Sequence, residues 1–195
     1  MDQTKVPGSA TAYRRQKQIE DCLFENLQQR PYPSVSISDL CHQLGISRKS
    51  FYNYFPDKDS CFSSIIHRKL HDCIYQLTMD LPERTSEEDK VSFYLSYWKN
   101  EKILFDIIVR NNLLSTLMDQ CIYFLREEDP IILPFLDTPQ LKADEFVLAS
   151  FVNIQITLIL QWYLQNFSTP LEDMVRTYQR LVYQPLLTNK KEHAE

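Results

Sequence analysis

The stretch that decides the fold is SISDLCHQLGISRKSFYNYFPDK, residues 36–58. It holds Gly45, one of two glycines in 195 residues, the other being Gly8 near the N-terminus. Ser36 is a natural N-cap, and Asp39, three residues on, stands where a capping box places its reciprocal carboxylate. Leu40 and Leu44 then form a short apolar face. Gly45 falls at the C′ position, where a left-handed backbone closes a helix and glycine alone adopts it without strain. Ser47 can cap a second helix at once. Phe51 and Phe55, four apart, share its inner face, with Ile46 packing below, and Pro56 stops it. The expectation is two short helices joined by a tight turn, the helix-turn-helix arrangement.

Working outward, the chain reads as helices broken by prolines. Tyr13 onward carries Ile19, Leu23 and Leu27 on one stripe and ends at Pro31 and Pro33. Asp57 can cap a long helix with Phe62, Ile66, Leu70, Ile74 and Leu77 in register, ended by Pro82. Residues 86–111 read as one helix with a break near Lys99 and Asn100, and 113–129 as another. Pro130, Pro134 and Pro139 mark a loop with a short helical turn. Two last helices are expected, about Lys142–Asn166 and Leu171–Leu187, separated by FSTP. The fold class is therefore all-α, and the scarcity of glycine and of Asn-Gly or Asp-Gly pairs argues against hairpins.

Charge is distributed unevenly. The net charge is −5. Residues 1–58 hold eight Lys/Arg and six Asp/Glu, so the remaining thirteen basic and twenty acidic residues make an acidic body under a mildly basic head. If Phe51, Phe55 and Leu44 point inward, Arg48, Lys49, Tyr52 and Asn53 are left outward. Arg and Asn make bidentate hydrogen bonds to base edges, while Tyr and Ser hydroxyls reach phosphate oxygens. Lys58 in the first turn of the next helix opposes the helix dipole, which is sensible if a phosphate sits there.

Five scattered cysteines without a CxxC pair read as reduced, mostly buried thiols of a cytoplasmic protein. The N-terminus has no apolar signal core. Phe146–Leu171 is free of charge but carries Ser150, Asn153, Gln155, Thr157, Gln161, Gln165 and Asn166, too polar for a spanning helix, so no membrane is expected. His67 and His71 have a zinc-compatible spacing without an evident third ligand, so no metal or cofactor is assigned. No GxSxG, HExxH, phosphate-loop or dinucleotide fingerprint occurs, and an enzyme is not expected.

With Gly45, Ser47, Ser50, Phe51, Tyr52, Tyr54, Phe55, Lys58 and Asp59 in place, residues 13–72 resemble the DNA-binding segment of the tetracycline-repressor (TetR/AcrR) family of transcriptional regulators. The resemblance implies a homodimer with one recognition helix per subunit and a palindromic double-stranded DNA site. Carried over, Ser36, Ser47, Ser50, Tyr52, Tyr54 and Lys58 would hold phosphates, and Arg48 and Lys49 would approach bases; Asn53 is added as a base or phosphate contact. Two positions depart from the family pattern: Lys49, where a small residue is common, and Tyr54, where His is common.

The implied organisation is an arm over residues 1–12, the DNA-binding head over 13–58, a helical effector-binding and dimerisation body over 59–187, and a polar tail over 188–195. The helix from Phe146 to Leu164 is apolar in most directions and must face something besides its own core. A second subunit, as the family implies for the last two helices, and a central core helix of a monomer both satisfy that. In such regulators a small molecule bound in the body changes the spacing of two heads that must sit about 34 Å apart, or a multiple. Tyr94, Trp98, Phe105, Tyr123, Phe124, Asn153, Thr157 and Trp162 are the candidate effector-pocket residues, core packing being the competing role for each aromatic. The function expected is a repressor released from its operator by a small molecule; the alternative is the same head on a body that binds a partner protein and activates transcription.

Overall fold

The computed structural model describes residues 10–82, 85–127 and 144–183. Among them every regular element is helical. α1 (Ala10–Gln29), α2 (Ile37–Leu44) and α3 (Arg48–Tyr52) form the head. α4 (Lys58–Tyr75) continues as a π-helical turn to Asp80. The body adds α5 (Glu87–Asn100), α6 (Lys102–Arg110), α7 (Leu114–Glu127), α8 (Glu145–Leu164) and α9 (Leu171–Tyr178), the last prolonged by a π-turn to Tyr183. Ala10 to Ala12 are helical rather than part of an arm; residues 1–9, the proline-rich loop and the polar tail lie outside the described residues.

The caps the sequence marks at Ser36, Gly45, Ser47 and Asp57 are present, and Ser86 and Asp144 add two it did not mark. The Ser36 hydroxyl accepts the Asp39 N–H at 3.1 Å, while the Asp39 carboxylate accepts the Ser36 N–H at 3.3 Å. The backbone N–H and the hydroxyl of Ser36, with Arg30 beside them, hold the Asp39 carboxyl below the usual carboxylate range. Gly45 has φ +62° and ψ 33°. Its N–H donates to His42 and the Ile46 N–H to Cys41, the paired bonds that close a helix through a left-handed residue. Ser47 accepts from Ser50, Asp57 from Ser60 and Ser86 from Asp89 in the same way.

A Cβ built on Gly45 meets nothing within 4 Å, so the demand for glycine there is conformational and not steric. Gly45→Ala is expected to cost about 1–2 kcal/mol from the left-handed backbone alone, and Gly45→Asn distinctly less. Urea unfolding of the two variants checks this; equal losses would show that backbone sterics are not the cause.

α4 is shared by both halves, so the boundary drawn after Lys58 falls on the first residue of a continuous helix. Its first turns bury Cys61, Phe62, Ile65 and Ile66 in the head core with Ile19, Leu23 and Leu27 of α1. Its later turns pack on α7. A buried polar cluster fastens α1 to α4. Glu20, 3% exposed, accepts from Arg68 Nε at 2.7 Å and from the Ser64 hydroxyl at 2.7 Å, and Arg68 Nη2 donates to Asp21 at 2.8 Å. A second tie joins head and body where Arg110 of α6 donates to the Leu27 and Gln28 carbonyls at the end of α1. Asn111 accepts the Tyr32 N–H at 2.7 Å.

In the body, α5 packs against α8 and α9, and α7 against α8. The break between α5 and α6 falls at Glu101. α8 is long and apolar enough to cross a bilayer by composition, but Leu148, Phe151, Val152, Ile156, Ile159 and Trp162 are buried in the body core. It ends on two successive left-handed residues, Asn166 and Phe167, the second an unfavourable choice. The Phe167 ring stacks edge-on against Trp162 at 5.1 Å, which holds the reversal into α9.

Candidate nucleic-acid interface and interior cavity

α3 is five residues long, shorter than the run to Phe55 that the sequence suggested. Phe51 and Phe55 are nonetheless both buried, 0% and 1% exposed, with ring centroids 5.9 Å apart. Phe55 arrives by a turn whose N–H still reaches the Phe51 carbonyl at 3.0 Å. With the phenyl rings inward, Ser47, Arg48, Lys49, Tyr52 and Asn53 are all exposed, and Ser50 and Tyr54 are half-buried. Arg48 Nη2 donates to the Tyr52 hydroxyl at 3.2 Å, so these two side chains lie together along one side of the helix. The Ser47 and Ser50 hydroxyls are 3.1 Å apart at its start.

Ser36 is exposed at the start of α2. Lys58 brings that start close to α4, because its ammonium donates to the Tyr32 carbonyl at 2.6 Å and the Val35 carbonyl at 2.8 Å. It also lies 4.1 Å from the Tyr32 ring centroid, and burial holds its pKa below the usual lysine value. The physical reason for a lysine in this first turn is therefore different from the one the sequence suggested. It ties the α1–α2 connection to α4, and two of its three N–H groups are spent doing so. Tyr32 closes the same joint, its hydroxyl donating to Asp59 at 2.5 Å. The sequence offered no signal for this, since residues 32 and 58 meet only once α1, α2 and α4 are packed.

Residues 24–65 match the family model described as "Bacterial regulatory proteins, tetR family". That segment spans the end of α1, both helices of the turn and the start of α4. These residues carry a TetR-type helix-turn-helix segment. The chain is 34% identical over 65 residues to the HTH-type transcriptional regulator EthR of Mycobacterium tuberculosis, which covers 32% of this chain and 30% of EthR. The chain thus matches less than a third of the length of these curated relatives.

Among solved structures, the fatty acid degradation regulator FadR from Bacillus halodurans superposes with a TM-score of 0.55 at 15% identity, covering 86% of this chain and 94% of that one. The dihydroxyacetone kinase operon activator DhaS superposes with a TM-score of 0.50 at 16% identity, covering 89% and 96%. At those identities the likeness is one of fold, and it takes in the body as well as the head.

Within the body, α4, α5, α7 and α8 line a partly open cavity of ≈ 50 Å³. Of the eight expected pocket residues, Tyr94, Trp98 and Phe124 line it. The other five do not. Phe105 is core, packed between Trp98 and Tyr163 at 6.3 and 5.7 Å. Trp162 is core too, its indole N–H donating to the Thr169 carbonyl at 2.9 Å. Tyr123 is 48% exposed and lies over His67. Thr157 faces outward, and Asn153 turns back to donate to the Ala149 carbonyl at 2.8 Å. The sequence missed Leu70, Cys73 and Ile74 of α4 and Gln155 of α8. The α4 stripe was a visible signal, but nothing in it separated core from cavity wall.

Gln155 is buried, and its carbonyl oxygen accepts the Tyr178 hydroxyl at 2.8 Å. The Cys73 and Cys121 thiols lie on the wall, and burial pushes both up, Cys121 to about 12. They are neutral apolar groups there. His67 and His71 stack 6.4 Å apart against Phe124, and the described residues hold no cluster of three metal-ligating side chains.

Proposed function

We propose that the protein is a DNA-binding transcription regulator whose α3 enters the major groove. The observation that carries this is the exposed set Ser47, Arg48, Lys49, Tyr52 and Asn53 standing over the buried Phe51. Such a rigid apolar footing orients the side chains that meet DNA. Arg48 and Lys49 are assigned to base edges, Ser36, Ser47, Ser50, Tyr52 and Tyr54 to phosphates, and Asn53 to either. Lys58 keeps one N–H for a phosphate beside its two structural bonds.

The reading includes a homodimer. α8 leaves Phe146, Val147, Ile154 and Leu164 exposed, 86%, 40%, 41% and 55%, on the outward side that also carries Ser150, Thr157 and Gln161. A second copy covering this face would place two heads on one palindromic site. The reading is of a cytoplasmic repressor, with the interior cavity as effector site. Occupying that cavity moves α4, which carries the head, and DNA is released because the ligand favours a differently spaced dimer.

The test is a gel shift on genomic fragments captured by the purified protein. Arg48→Ala with Tyr52→Phe is expected to weaken binding by at least about 30-fold at fixed salt, since each lost base contact is worth about 1–3 kcal/mol and a dimer loses two. Unchanged affinity would refute the assignment of α3. The small volume of the cavity favours a second reading, in which the body binds a partner protein and activates transcription. Native mass spectrometry separates the two: a retained small molecule supports the first, a stoichiometric partner protein the second.

A further inference from the structure

The cavity is built for one chemical class. Among the described residues, its wall carries no Asp, Glu, Lys, Arg or His. An ion placed there would be desolvated without a counter-charge, a cost that no apolar contact offsets. Most of the surface is aliphatic and aromatic. The polar exceptions are Trp98, Gln155 and Tyr94. Gln155 has already committed its carbonyl oxygen to Tyr178.

Trp98 is different. It is 5% exposed, and its indole N–H is buried with no hydrogen-bond partner among the described residues. The neighbouring Tyr94 hydroxyl feels that N–H, which pulls down a pKa that burial raises, but it is not placed to accept a hydrogen bond from it. Trp162, the other tryptophan, has its N–H paired with Thr169. A buried donor left unmade is costly, and an indole nitrogen can only donate. An acceptor oxygen brought against that N–H would remove the cost.

We propose that this cavity binds an uncharged, largely apolar molecule with one hydrogen-bond acceptor, such as a ketone, ether or ester oxygen, received by the Trp98 indole N–H. This rests on the cavity being the effector site of the regulator and adds the chemistry of what it admits. The volume of ≈ 50 Å³ is well below the roughly 150 Å³ that takes up benzene. Entry therefore displaces side chains, and Leu70 and Ile74 of α4 are on the wall to be displaced.

The experiment is an NMR titration of the full-length, nitrogen-labelled protein with three probes of one shape: cyclohexanone, methylenecyclohexane and cyclohexanecarboxylate. The two indole N–H signals are assigned with Trp162→Phe. Cyclohexanone is expected to move the Trp98 N–H downfield and leave Trp162 in place. Methylenecyclohexane, which lacks the acceptor, is expected to bind about 3- to 10-fold more weakly without that downfield move. The carboxylate is expected to leave both signals unchanged.

The proposal is overturned if the carboxylate binds as well as the ketone, if the ketone binds without moving Trp98, or if neither neutral probe binds up to its solubility. No variant of Trp98 is required, so a folding defect cannot imitate failure. DNA binding by the same preparation, measured without any probe, tests the regulator reading separately. A protein that shifts DNA but ignores all three probes refutes the cavity chemistry alone.

Discussion

Arg68→Met is expected to destabilise the fold by about 3–5 kcal/mol, as an equilibrium urea titration would read it. Glu20 is 3% exposed on the α1 face that meets α4, and Arg68 supplies its only ionic partner among the described residues, at 2.7 Å. Methionine keeps the volume of the arginine stem but leaves a carboxylate that water does not reach. Ser64 and Gln16 still donate to it, at 2.7 and 3.2 Å, but neither carries charge. The Asp21 arm of the same guanidinium contributes little, because that carboxylate is 46% exposed and screened.

The double variant Glu20→Leu, Arg68→Met should recover most of the loss. Replacing a buried ion pair by apolar groups of similar volume is often near neutral, whereas breaking it is not. If the double variant were as unstable as Arg68→Met alone, the cost would come from packing around α4 and not from an orphaned charge.

The second large effect is Phe51→Ala, at about 3–5 kcal/mol. Phe51 is 0% exposed and packs against the rings of Tyr52 and Phe55, 5.8 and 5.9 Å away. Alanine leaves a cavity under a helix of only five residues, which has no stability of its own to resist it. Hydrogen exchange should then lose protection across residues 36–60 before the body core around Trp162, and DNA binding should be lost with it. Phe51→Leu, which keeps most of the volume, should cost under about 1.5 kcal/mol and retain DNA binding. Full DNA affinity in the alanine variant would mean that α3 does not depend on this footing.

These two predictions differ in where their grounds were visible. Phe51 and Phe55 could be read as an inward pair from their spacing. Ser36, Gly45, Ser47 and Asp57 could be read as caps and stops, because a cap is a bond between residues three apart. Glu20 and Arg68 are 48 residues apart, and each alone looks like an ordinary surface charge. Their pairing depends on the angle at which α1 crosses α4, and no local pattern encodes that. Lys58 shows the same limit. Its place against the helix dipole was visible as an anomaly, but the carbonyls of Tyr32 and Val35 that account for it come from another element.

By itself, the sequence determined the helix-turn-helix. Gly45 needs its left-handed backbone whatever surrounds it, and the residues on either side follow from caps and a four-residue repeat. It also determined that the body is helical, since the stripes and the proline breaks are local. The tertiary structure alone decided which aromatics close a cavity and which fill a core. Trp98 and Trp162 are indistinguishable as entries in a helical pattern. One finds the Thr169 carbonyl at 2.9 Å, and the other keeps a buried N–H without a partner among the described residues. The physical reason is that periodicity records which side of a helix is turned from water, not how tightly the neighbouring helices fill the space it faces.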